Sequence, residues 1–130
     1  MSNVYDDSKY GVIERLYMRP YQVATTLTGD TTLVKRFYPR GPISIKKFGV
    51  QHVATQGGTE VTVSLLRNSS TLATVVASTD AVPWTIASKA VTKNVDAGSY
   101  LTVTSAGTVA TGSVQVFIDF VRLYNSNWDA

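Results

Sequence analysis

Cysteine is absent from this 130-residue chain, so neither a disulfide framework nor a thiolate nucleophile enters the argument. Histidine occurs once, at His52. One histidine cannot furnish a histidine-based zinc site. A Ser-His-Asp set would have to use it, and the chain has no Gly-x-Ser-x-Gly elbow. His52 therefore reads as a structural or solvent-facing residue at an outer or edge position of its strand. Charge is sparse too, at 16% of residues. The acids Glu60, Asp80, Asp96 and Asp119 are scattered, which does not suit the paired carboxylates of a glycosidase. Asp119 lies within a strand pattern and is expected to face water or to pair with Arg122 or a lysine. No Gly-Lys-Ser phosphate cradle, dinucleotide fingerprint or EF-hand loop occurs. No apolar run approaches the roughly 20 residues that cross a bilayer. The start, Met1 to Asp7, has neither a basic opening nor an apolar run, so no signal peptide is expected. With no secretory signal, Asn68-Ser-Ser reads as a turn rather than a glycosylation acceptor. The expectation is a chain with no catalytic residues, no metal and no cofactor: not an enzyme.

What the chain has in quantity is strand pattern. The stretch Ser113 to Tyr124 dominates it. Val114, Val116, Ile118 and Phe120 share one parity and make an apolar stripe. Gln115 and Asp119 hold the other face open to water, until Val121 and Leu123 turn it apolar. This is the expected central core strand. Thr31 to Tyr38 reads as an edge strand, with Leu33, Phe37 and an inward Lys35 on one face. Pro39 to Pro42 is a rigid link. In Ile43 to Ala54 the apolar parity switches between Ile43/Ile45 and Phe48/Val50, which predicts a β-bulge at Lys46-Lys47 or Gly49.

Gly57-Gly58 reads as a hairpin loop. Val61, Val63 and Leu65 face inward in the next strand, which turns at Asn68-Ser-Ser into a partner at Thr71 to Ser78. After a break at Asp80 to Pro83, Trp84 to Thr92 is a strand with Trp84, Ile86 and Ala90 in phase, so Trp84 is expected in the core. Asn94 to Gly98 is a turn, and Leu101 and Val103 face inward after it. Ser105 to Gly112 reads as a loose loop. About eight strands without a core helix indicate an antiparallel two-sheet sandwich of jelly-roll type, with an immunoglobulin-like sandwich as the alternative. Residues 1–30 form an extended N-terminal arm, 31–124 the β-sandwich domain and 125–130 a polar tail.

Charge and aromatics are uneven. Residues 1–47 carry eight Lys or Arg against four Asp or Glu, and the remainder is slightly acidic. That bias can favour a negative partner, but it is far from the dense footprint of a nucleic-acid binder. The arm holds four of the seven tyrosines. Tyrosine and arginine are enriched at interface hot spots. Tyr5, Tyr10, Arg15, Tyr17, Arg19 and Tyr21 are therefore the candidate partner-binding anchors. The rival reading is a segment folded over its own core.

The run Asp96-Ala-Gly-Ser-Tyr-Leu-Thr-Val-Thr104, followed by Thr111 to Tyr124, resembles small β-sandwich structural proteins of tailed bacteriophages, above all the capsid decoration, or cement, proteins. The Val61 to Ser70 hairpin fits the same pattern. The resemblance covers roughly residues 43–124 and carries a role, with no residue-by-residue transfer. It implies a jelly-roll protein, often trimeric, on the capsid exterior of a virion. Its partners would be the major capsid protein and its own copies, with no direct nucleic acid and no membrane. A receptor- or carbohydrate-binding head-fibre or tail module is the alternative, with Trp84 or Trp128 as its aromatic platform. A shell-forming capsid protein fits less well, because the basic arm is too weak to neutralise packaged nucleic acid.

Overall fold

The computed structural model describes residues 12–18, 25–26, 31–58, 60–78, 81–107 and 110–123. Nine strands follow in order: β1 (Glu14–Tyr17), β2 (Thr25–Thr26), β3 (Thr31–Phe37), β4 (Ile43–Gly58), β5 (Val61–Arg67), β6 (Ser70–Ala77), β7 (Ile86–Val95), β8 (Leu101–Gly107) and β9 (Ala110–Arg122). Among the described residues there is no helix.

Hydrogen-bonded neighbours run β1-β9-β4-β7 in one sheet, with β2 also on β9, and β3-β8-β5-β6 in the other. Every pairing is antiparallel. The last strand sits between the first and the fourth, and β3, β8, β5 and β6 make the second sheet. This is the jelly-roll arrangement. The immunoglobulin-like alternative needs a different strand partition.

The core lies between the sheets, filled by the residues whose parity marks them. Val61, Val63 and Leu65 from β5 and Leu101 and Val103 from β8 meet Val114, Val116, Ile118 and Phe120 from β9; all are buried. β4 supplies Ile43, Ile45, Phe48 and Val50. They reach the core together because the register of β4 shifts between Ile45 and Lys47 against both neighbours, β7 and β9. The expected bulge is there, at the lysines. The β5–β6 turn places Asn68 at φ 47° and Ser69 at φ 77° between the paired Arg67 and Ser70. Two residues with positive φ match the twist of a tight hairpin.

Several local expectations are corrected. Gly57-Gly58 is not a hairpin: β4 runs on to Gly58, and β5 begins in the other sheet. Ser105 to Gly112 is not loose, since β8 extends to Gly107 and β9 starts at Ala110. In β3 the register slips on both sides of Val34, so Val34 is buried and Lys35 is exposed. β3 is nevertheless an edge strand, as expected.

Trp84 is not in the core; it is 65% exposed. β7 begins only at Ile86, and its core-facing positions are Ala87, Val91 and Val95, the opposite parity to Trp84, Ile86 and Ala90. Lys89 and Lys93 share that inward parity, paired with Phe48 and Ile45 at the sheet edge. Both lysines are exposed, on an edge strand where charge discourages further pairing.

Part of the expected arm falls on described residues. Glu14 to Tyr17 pair with Phe120 to Phe117, and the Met18 amide donates to the Val116 carbonyl at 3.1 Å. Met18 is 2% exposed and belongs to the core cluster. Met18→Ala is expected to cost about 2–5 kcal/mol, read as a lower urea midpoint at unchanged slope. A negligible change would mean that this segment contributes nothing to the sandwich.

Candidate interaction surface

The outward face of the first sheet carries a second, smaller apolar cluster. Phe117 is fully buried yet lies outside the core cluster, because its parity points it away from the other sheet. It has room because Gly49 faces it: a Cβ there would stand 2.6 Å from the Phe117 ring and 2.8 Å from the Ala87 carbonyl oxygen. Arg15 roofs the ring at 4.1 Å from its centroid, and Tyr17 meets it edge-on at 6.0 Å. Stacked guanidinium and edge-to-face contacts each add to the burial they accompany.

Arg15 also forks onto Asp119, with Nε donating to Oδ1 at 2.7 Å and Nη2 donating to Oδ2 at 3.0 Å. Asp119 thus pairs with Arg15 rather than with Arg122 or a lysine, and it is buried rather than facing water. Its hydrogen bond holds the Arg15 guanidinium above its ordinary pKa, against desolvation. The Tyr17 hydroxyl donates to Gln51 Oε1 at 2.8 Å. Of the six sequence-predicted anchors, Arg15 and Tyr17 are brought together here, on the chain's own sheet. Tyr5, Tyr10, Arg19 and Tyr21 lie outside the described residues.

At one end of the sandwich, a groove of about 340 Å³ opens between β1, the β3–β4 link and the end of β9. Its walls are Leu16, Phe37, Tyr38, Pro39, Ile43 and Phe120, and its charges are Glu14, Arg15, Arg40 and Arg122. Arg122 Nε donates to Glu14 Oε2 at 2.8 Å. Arg40 is exposed and has no ion pair among the described residues. Beside the groove, the Tyr38 and Tyr100 rings lie 5.8 Å apart, and the Arg36 guanidinium sits 4.5 Å over Tyr100. A hydrogen bond with Tyr38, above all, raises the Arg36 pKa. These guanidiniums remain charged, so the positive potential at this end is permanent.

A third feature is the turn Val82-Pro83-Trp84-Thr85. The Thr85 amide donates to the Val82 carbonyl at 3.2 Å, and Trp84 has φ 72°. Proline second and positive φ third is the type II pattern, whose third position favours glycine. A side chain there costs about 1–2 kcal/mol.

The turn rests on His52, which is 1% exposed rather than solvent-facing. The Trp84 amide donates to the His52 carbonyl at 2.6 Å, and the His52 amide donates to the Thr85 carbonyl at 2.8 Å. The His52 ring lies between the Thr85 carbonyl and Gln56 Oε1, each at 3.2 Å, and Gln56 Nε2 donates to the Ala77 carbonyl at 2.7 Å. His52 is thus a structural residue.

Among the described residues, no group of three or more His, Asp or Glu side chains could hold a metal ion. Every buried side-chain nitrogen and oxygen described has a partner. Arg36, Tyr38, Arg40, Tyr100 and Trp84 were not among the sequence-predicted anchors. For Trp84 the available signal was Pro83, which announces the second position of a turn. For the others no local signal exists, because β3 and β8 meet only through the fold. The chain matches no protein-family model and no curated protein sequence.

Two outcomes check this surface. Gly49→Ala is expected to cost about 1–3 kcal/mol by forcing Phe117 and the β7 backbone outward; a neutral result in chemical denaturation would show that the ring is not seated there. A double-mutant cycle of Arg15→Ala with Asp119→Ala should return a coupling of about 1 kcal/mol, and a coupling near zero would remove the ion pair from the folded state.

Proposed function

We propose that this chain is a non-enzymatic structural protein of a virion, a cement protein that docks on the outer capsid surface and stabilises the shell. The observation that carries the reading is the groove. Arg40, exposed and without an ion pair among the described residues, stands beside aromatic and aliphatic walls and suits a surface loop that presents a carboxylate beside apolar side chains. Such a loop is what a major capsid protein would offer. Arginine and aromatic residues are the groups that dominate protein docking sites.

A jelly roll whose described buried side-chain nitrogens and oxygens all have partners is a stiff platform for such contacts, and it accords with the resemblance to decoration proteins. In this reading the protein acts as an oligomer, with a trimer as the expected form. Several modest contacts on one oligomer multiply into an avidity far above that of a single groove. The outward Phe117 cluster, roofed by Arg15, stiffens the sheet whose β9 ends at the groove.

Co-sedimentation with purified capsid shells tests the proposal. The full chain should saturate a fixed number of sites per shell and raise the shell's disruption temperature. Arg40→Glu should weaken binding at least tenfold while leaving the thermal midpoint of the free protein unchanged. No saturable binding to shells, or undiminished binding by Arg40→Glu, would overturn the role given to the groove.

A further inference from the structure

The outward face of the second sheet is rich in hydroxyls. Thr32 pairs with Thr104, Thr104 with Ser64, and Ser64 with Thr74, so one row of hydroxyls crosses β3, β8, β5 and β6. The residues beside them, among them Val103, Val63 and Val75, are buried, so the row points away from the core. Thr102, the next outward residue on β8, donates its hydroxyl to the Lys35 carbonyl at 2.9 Å. Threonine is common in strands, so the row by itself is ordinary. What stands at the end of this face is not.

Arg36 and Tyr38 flank Phe37, which packs against the core, so they turn to the outward side. The Tyr38 ring is tilted 52° to that of Tyr100 at 5.8 Å, and Tyr38 is 54% exposed. The Arg36 guanidinium lies 4.5 Å over Tyr100 and is hydrogen-bonded to Tyr38. No carboxylate meets Arg36 among the described residues. The β5–β6 turn grips this platform from the side. The Tyr100 amide donates to Asn68 Oδ1 at 3.0 Å, and the Asn68 amide donates to the Tyr100 carbonyl at 3.1 Å. Asn68 Nδ2 donates to Ser99 Oγ at 3.1 Å, and Ser69 Oγ lies 3.5 Å from the Tyr100 hydroxyl. Exposed aromatic rings fixed in advance lose little freedom when a ligand arrives.

A pyranose ring presents a flat C–H face and a rim of hydroxyls. An exposed tyrosine takes the first by stacking, and hydroxyl and amide groups take the second. The four strands of this sheet contain Lys35, Arg36 and Arg67 and no Asp or Glu. That balance, with a guanidinium that has no carboxylate of its own, selects a sugar that carries one. A protein partner would want an apolar centre, and from Tyr100 to Thr104 the outward side of β8 offers hydroxyls instead. Nucleic acid would want a far denser basic footprint.

We propose that this face binds an acidic polysaccharide: Tyr38 and Tyr100 stack on a sugar ring, Arg36 takes its carboxylate, and the hydroxyl row receives the glycan beyond it. Tyr100 to Thr104 spans about 13 Å of β8 at ~3.3 Å per residue, room for more than one sugar. The site is separate from the groove except at Tyr38, which stands on the border between them. Arg40 belongs to the groove, and Arg36 and Tyr100 to the platform. Glycan binding here neither requires nor precludes shell binding at the groove.

The test is titration of the full chain with polygalacturonate, alginate and hyaluronate at physiological salt, with neutral dextran and dextran sulfate as controls. At least one of the three carboxylated glycans should bind saturably, and dextran should not. Tyr100→Ala and Arg36→Gln should each weaken that binding roughly tenfold. Arg36 is exposed, so Arg36→Gln should melt with the parent and its loss of binding is read on a folded protein. Arg40→Gln should bind the glycan within about twofold of the parent, because its charge is screened and it lies outside the platform. Failure of all three carboxylated glycans to bind, or binding that survives both Tyr100→Ala and Arg36→Gln, would overturn the proposal. So would equal losses in Arg36→Gln and Arg40→Gln with dextran sulfate bound as well as the carboxylated glycan, which would reduce the effect to bare charge. Shell binding is measured separately: if Tyr100→Ala loses shells and no glycan binds the parent, the face is a protein contact, and this site falls while the cement reading stands.

Discussion

The ladder between β4 and β9 is the constraint on which the other strands depend. It runs from Ile43 opposite Arg122 to Gly58 opposite Ala110, the longest pairing among the described residues. β1 and β2 hang on the free edge of β9, and β7 on the free edge of β4. The slip between Ile45 and Lys47 occurs against both neighbours of β4, so three strands share one adjustment. Without it, either Ile43 and Ile45 or Phe48 and Val50 would leave the core, because a one-residue slip reverses the faces of a strand. Burying a side chain of this size is worth about 1.5–3 kcal/mol, far more than the ladder bond displaced by a bulge.

That ladder also sets what lies on its outer side. Gly49 and Phe117 are paired across β4 and β9, and the missing Cβ lets the ring lie down on the sheet. Arg15 and Tyr17 arrive over it because β1 is in register with the same segment of β9. The ion pair with Asp119 therefore serves two purposes. It satisfies the carboxylate of the buried Asp119, and it holds the guanidinium over Phe117. A paired, forked arginine is the form in which a buried carboxylate is tolerated.

The groove and the exposed turn at Trp84 are parts that the sandwich does not spend on its own core. The groove exists because β1, the β3–β4 link and the end of β9 converge at one end of the sheets while their side chains do not fill the space between them. The turn at Trp84 exists because the chain must cross from β6 in one sheet to β7 in the other, and Pro83 sets a tight path. Arginine charge gathers at the first site and an uncharged apolar tip at the second. The two sites therefore differ in charge.

Alternation alone made the core strands legible. Val61, Val63 and Leu65, and Val114 to Phe120, have a period of two that only a half-buried strand explains, and the broken parity around Lys46 announced the bulge. It also made the two-sheet jelly roll readable, since uneven strands without helices leave few alternatives. Alternation could not say which parity of β7 faces inward, because at an edge strand exposed residues occupy both faces; neighbouring β4 decided that, and it put Trp84 outside. Nor could it show that Arg15 would meet Asp119 across 104 residues of sequence, or that the single histidine would lie buried beneath a turn. Local sequence determined the pattern of each strand because side-chain period is a property of the strand itself. Register, groove and exposed indole are properties of pairs of strands distant in the chain, and only the tertiary structure decided them.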